Sequence, residues 1–226
     1  MTTVLDNLKA GIRRFGLEIY PAAAELYQKA AIEPQQPHTL IVACADSRVE
    51  PHVITQSGPG DIFVTRNVGN LVPQYGEMLG GVSAVIEYAV TALKVQHVVV
   101  CGHSDCGAMK ALLDPASTVP MPAVAHWLGN AAAALDEALP RDLRGQPLSD
   151  EERAKILRRL TEANVALQMR HLSTHPSVVK AMSSGELTIS GWVYDIATGR
   201  VRISEDGEQA FHDVPLIDLA ESWPEK

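Results

Sequence analysis

Three short apolar runs limit the architecture more than any other feature of the chain. They are Thr39-Leu40-Ile41-Val42-Ala43, Asp61-Ile62-Phe63-Val64-Thr65 and Gln96-His97-Val98-Val99-Val100-Cys101. A strand with one wet face alternates polar and apolar residues, whereas a strand covered on both faces reads as continuous. These runs are also too short to be helices. They therefore predict strands of a parallel sheet with helices on its faces. Between the second and third runs, Val82, Val85, Ile86, Ala89, Val90 and Leu93 repeat at helical spacing behind Gly80 and Gly81. That stretch is a crossover helix of the kind parallel neighbours require.

The rest of the chain fits the same α/β plan. Leu187 to Tyr194 reads as a fourth parallel strand, and Ala197-Thr198-Gly199 as the turn into an antiparallel edge strand. Short helices are expected over 50–56 and 105–113, the latter stopped by Asp114-Pro115, and an alanine-rich helix over 122–139. Ser149 and Glu152 form a capping box that opens a long helix ending near Leu172. At the N-terminus, Val4, Leu8, Ile12, Phe15 and Ile19 mark an amphipathic helix that Pro21 ends or kinks, with a second piece over 22–31. We read one domain over 1–226, with an N-terminal helical arm (1–32) and an α/β core (38–226). The arm adds little to a minimal core, so it packs either on its own sheet or on a neighbouring subunit.

A net charge of −8 argues against a nucleic-acid partner. No apolar run approaches the 18–20 residues of a membrane span, and the first residues lack a signal-peptide pattern. Three cysteines, an odd and small number, do not make a disulfide framework. A reducing, cytoplasmic setting with metal or catalytic use of the thiols is expected.

The chemistry lies where two of the runs end. Cys44-Ala45-Asp46-Ser47-Arg48 follows the first, and His103-Ser104-Asp105-Cys106 follows the third. Ligands in open α/β sheets bind at the carboxyl ends of strands. Cys44, His103 and Cys106 are thiolate and imidazole donors that suit zinc, and three protein ligands leave a fourth position for water. Two residues compete for that position. Cys101 is read as core packing because it lies inside the strand. Asp46 could reach the metal unless Arg48 holds it in a bidentate pair, which would keep it an anionic acceptor.

Cys44-Ala45-Asp46-Ser47-Arg48-Val49 and Gly102-His103-Ser104-Asp105-Cys106-Gly107 resemble the two zinc motifs of the β-class carbonic anhydrases. The similarity continues through Arg66-Asn67, Asn70-Leu71-Val72-Pro73, Ile86-Glu87-Tyr88, His175-Pro176-Ser177-Val178 and Gly191-Trp192-Val193-Tyr194-Asp195. It implies one zinc ion per chain on Cys44, His103 and Cys106, with Asp46 and Arg48 as a catalytic dyad. The implied reaction is reversible hydration of CO2 to bicarbonate and a proton, by zinc-bound hydroxide. The implied pocket spans a dimer interface, with a homodimer as the smallest assembly, and takes Gln35, Phe63, Tyr88 and Gly107. Some members also hold bicarbonate at a noncatalytic site with a Trp, an Arg and a Tyr. Arg66 and Tyr194 match two of these positions, but Ile41 stands at the third. We therefore expect the open form, with Asp46 on Arg48. Three rivals stand beside this reading: a zinc staple without catalysis, a zinc esterase, and a thiol redox protein using Cys101 and Cys106. His38, His52, His97, His126, His171 and His175 are proton-shuttle candidates by residue type alone.

Overall fold

The computed structural model describes residues 2–205 and 210–215; the end of the expected core, 216–226, lies outside them. Its strands are β1 (Thr39–Cys44), β2 (Ile62–Asn67), β3 (His97–His103), β4 (Thr188–Tyr194), β5 (Val201–Glu205) and the two-residue β6 (His212–Asp213). They form one sheet in the order β2-β1-β3-β4-β5-β6. The first four are parallel; β5 and β6 are antiparallel. The sequence predicts one antiparallel edge strand, and the structure has two.

Alternate residues of the parallel strands fill two separate apolar clusters, which is why the runs show no polar period. Leu40, Val42, Val98 and Val100 pack with Ile86 and Ala89 on one face. Ile41, Ala43, Val99 and Cys101 pack with Ile62 and Trp192 on the other. Each fully buried Val or Leu contributes roughly 1.5–3 kcal/mol.

The described helices are, in chain order, α1 (Val4–Arg14), α2 (Ala24–Ile32), α3 (Pro51–Thr55), α4 (Gly81–Thr91), α5 (Gly107–Leu113), α6 (Pro122–Leu128), α7 (Ala132–Ala138), α8 (Asp150–Leu172) and α9 (Pro176–Ser183). A three-residue piece, Tyr20–Ala22, carries the arm between α1 and α2. The helix expected over 122–139 is interrupted by a 3-10 turn at Gly129–Ala131. The predicted capping box at Ser149 and Glu152 is present. Helix α8 lies close on β3 and β4 because two glycines let it. A Cβ at Gly102 would sit 2.7 Å from Val165 Cγ2, and one at Gly191 would sit 2.6 Å from Val165 Cγ1.

The arm does not pack on its own sheet. Every residue of α1 is exposed, and so is the π-helical turn Phe15–Ile19 that follows it. Pro21 does not end the helix; the break comes at Ala23. Tyr20 and Tyr27 stack there and Phe15 meets both edge-on, with ring centroids 5.2–6.1 Å apart. Among the described residues, no helix is long and apolar enough to cross a membrane.

Candidate metal centre

Strands β1 and β3 are parallel neighbours, so their carboxyl ends deliver Cys44 and His103 side by side. The chain then turns through Asp105, which adopts a left-handed φ of 60°. That turn brings Cys106, the N-cap of α5, back to the same point. The Cys44 and Cys106 sulfurs are 4.0 Å apart. With a ring nitrogen of His103, the three donor atoms lie within 4.8 Å of one another.

The imidazole of His103 is oriented by its other nitrogen. Nδ1 donates to the Ser104 carbonyl at 2.8 Å. Nε2 then carries the lone pair, as a metal-binding histidine requires. It is fully buried and has no hydrogen-bond partner. A buried acceptor facing two sulfurs and left unpaired is costly unless a cation completes it. The two thiols share a hydrogen bond, which pulls the Cys44 thiol down and pushes that of Cys106 up. Tetrahedral zinc with bonds of about 2.3 Å to sulfur spaces two sulfurs about 3.8 Å apart, close to what is seen. The donor set fits zinc.

Asp46 is held by Arg48. Nε donates to Oδ1 at 2.9 Å, Nη2 to Oδ2 at 2.8 Å, and the Arg48 backbone N–H to Oδ1 at 3.0 Å. These donors keep the carboxyl well below the ordinary carboxylate range. Its Oδ2 lies 3.9 Å from His103 Nε2, beside the donor cluster. Sequence reasoning missed a second anchor. Asp105 accepts from Arg48 Nη1 at 3.0 Å and pairs with Lys110. Its place inside the second motif was the available signal.

Cys101 stays out of the cluster. It packs on the far face of the sheet, and burial pushes its thiol up to about 12. Arg66 braces the first motif from behind, donating to the carbonyls of Cys44 (3.1 Å) and Asp46 (2.6 Å) and pairing with Glu50. Tyr194, at the end of β4, pairs in register with His103 on β3. Ile41, at the expected tryptophan position, is core.

Of the expected pocket residues, Gly107 adjoins the cluster, whereas Gln35 and Phe63 lie elsewhere in the same chain. Gln35 sits before the amino end of β1, in a cleft with Leu26, Lys29 and Pro59. Phe63 is in register with Leu40, four residues before Cys44, or about 13 Å along the strand. Its ring is 6.0 Å from that of Tyr88. Gly107 begins α5, next to Cys106, and is exposed. His52 and His126 are exposed. His38 bonds Thr39, and His97 bonds Thr188 and Ser190. His171 and His175 are buried.

Comparison with known proteins agrees with this geometry. The family model described as carbonic anhydrase matches residues 39–201. A carbonic anhydrase of Pseudomonas aeruginosa is 45% identical over 211 residues, covering 93% of this chain and 90% of that protein. Carbonic anhydrase 1 of Escherichia coli O157:H7 is 42% identical over 209 residues, with coverage of 91% and 90%. Among solved structures, the β-carbonic anhydrase CcaA superposes with a TM-score of 0.85 at 32% identity, covering 93% of this chain and 92% of that one. A tetrameric β-carbonic anhydrase of Sordaria macrospora superposes with a TM-score of 0.68 at 30% identity, covering 89% and 93%.

Proposed function

The chain belongs to the β-class carbonic anhydrases, and from that premise we propose that it hydrates CO2 at a zinc ion held by Cys44, His103 and Cys106. The observation that carries this reading is the buried, partnerless Nε2 of His103 facing two cysteine sulfurs. When bound, zinc supplies a Lewis acid that makes hydroxide available near neutral pH. Asp46 does the positioning. Tied by Arg48 on both oxygens, it stays off the donor cluster and stays ionised. Its carboxylate therefore accepts a hydrogen bond from the attacking water and orients it. With its affinity for protons so reduced, it does not carry the proton away.

CO2 offers little to hydrogen-bond, so an apolar wall suits it. Leu71 and Ala108 supply part of that wall, in one cluster with Cys44 and Cys106. The remaining pocket residues, Gln35, Phe63 and Tyr88, belong in this reading to a second copy of the chain. Their distance from their own metal ligands and the unpartnered apolar face of the arm support a homodimer as the smallest active unit. A sedimentation measurement showing a fully active monomer would exclude it.

The donors on Asp46 favour an open metal position over a closed staple, because a purely structural site needs no carboxylate fixed beside it. Stopped-flow CO2 hydration with metal content measured tests this. Asp46→Asn should keep its zinc and lose about 10²–10⁴-fold in turnover, the range for removing a positioned proton acceptor. Full activity in that variant, or none in the wild type, would contradict the proposal.

A further inference from the structure

The loop that follows β2 lies between the metal centre and α8. On its metal side, Leu71 packs in one cluster with Cys44 and Cys106. Gly69, at φ +81°, passes so close to α5 that a Cβ there would lie 3.0 Å from Ala108 Cβ. Its N–H faces the Cys44 sulfur. On its other side the loop is gripped by buried amides of α8.

Asn164 and Gln168 stand four residues apart, on one face of the helix, and both are fully buried. Asn164 Nδ2 donates to the Gly69 carbonyl at 3.1 Å. Gln168 Oε1 accepts from the Val72 N–H at 2.8 Å. Gln168 Nε2 donates to Asn164 Oδ1 at 2.9 Å and to the Asn130 carbonyl at 3.1 Å. His171, on the same stripe, bonds the Val72 carbonyl (2.7 Å), and His175, just past the helix end, bonds that of Pro73 (3.1 Å). Leucines would cover the sheet at those positions without any need for partners. The amides instead fix the height and rotation of the loop backbone.

We propose that Asn164 and Gln168 are positioning residues for the metal ligand Cys44, acting through the backbone of residues 69–72 packed against it. This rests on the assignment of Cys44, His103 and Cys106 as the metal site. Metal–ligand distances tolerate only about ±0.2 Å, so a loop free to shift loosens the wall that sets the sulfur. Groups standing behind metal ligands typically change metal affinity about 10–100-fold when removed.

The test uses the full chain loaded with cobalt(II), whose thiolate charge-transfer and ligand-field bands report sulfur geometry. Gln168→Met keeps length and loses all three bonds. It should shift those bands and raise the zinc dissociation constant, measured by chelator competition, about 10–100-fold. Gln168→Glu, which retains the acceptor for Val72, should fall nearer the wild type on both readouts. Should Gln168→Met not fold, Asn164→Ala, which cuts the bond to Gly69, carries the same expectation. A folded variant with lowered melting temperature but wild-type cobalt spectrum and zinc affinity would overturn the inference and leave these amides a purely structural role. Absence of thiolate bands in the wild-type protein would instead overturn the metal assignment, and this inference with it.

Discussion

Gly102→Ala is a one-carbon change whose cost follows from the packing of α8 on β3. The added Cβ would meet Val165 Cγ2 at 2.7 Å and Thr161 Cγ2 at 3.4 Å. Carbon atoms rest about 3.5–4.0 Å apart, so the helix or the strand must retreat by about 1 Å. Overpacking of this kind costs roughly 1–3 kcal/mol. In a chain of this size each kcal/mol moves the melting temperature by about 2–4 °C, giving a fall of about 2–12 °C. The strand end bears the second consequence, because the next residue, His103, is a proposed ligand. A shift of about 1 Å exceeds the ~0.2 Å tolerance of metal bonds. Calorimetry at fixed protein concentration and zinc stoichiometry measure both effects. Adding Val165→Ala should recover part of each, since it removes the atom in conflict. An alanine variant with unchanged melting and full zinc, or a double variant with no recovery, would refute the reasoning.

Acid should weaken the fold through His171 and His175. Burial depresses both below the ordinary value of 6.5. The unfolded chain therefore binds more protons in that range. Stability is complete above about pH 6.5 and is lost as pH falls toward the lowered folded values. Thermal melts from about pH 7.5 to 5 should show this fall, with a shallower slope in His171→Gln; identical slopes would be the contrary result. Cys101→Ala should bind a full complement of zinc, whereas Cys44→Ser should lose it. Metal loss in the Cys101 variant would reinstate that thiol as a ligand.

The parallel sheet was legible because covered strands leave continuous apolar runs, and Thr39–Cys44 and His97–His103 fell where those runs stood. The α8 start was legible because Ser149 and Glu152 carry their own local bonds. The interruption at Gly129–Ala131 was not, since an alanine-rich stretch has no stripe to break. Nor was β6, whose two residues are too few to form a pattern. At the site, Cys44, Asp46, Arg48, His103 and Cys106 could be read because strand ends and spacing place them. The bracing of the Cys44 and Asp46 carbonyls by Arg66 could not, because it depends on β2 lying beside β1. Sequence likewise gave no sign that Asn164 and Gln168 grip the loop after β2, since a polar residue in a long helix reads as solvent-facing. The proposal that a second copy of the chain supplies Gln35, Phe63 and Tyr88 concerns assembly, which no spacing encodes.

The central claim is that Arg48 keeps Asp46 off the metal and leaves one position open. A crystal structure of the zinc-loaded protein at neutral pH tests it most directly. The account predicts zinc on Cys44, His103 and Cys106, with both Asp46 oxygens still bonded to Arg48. An Asp46 oxygen at about 2.0–2.2 Å from the metal would contradict it.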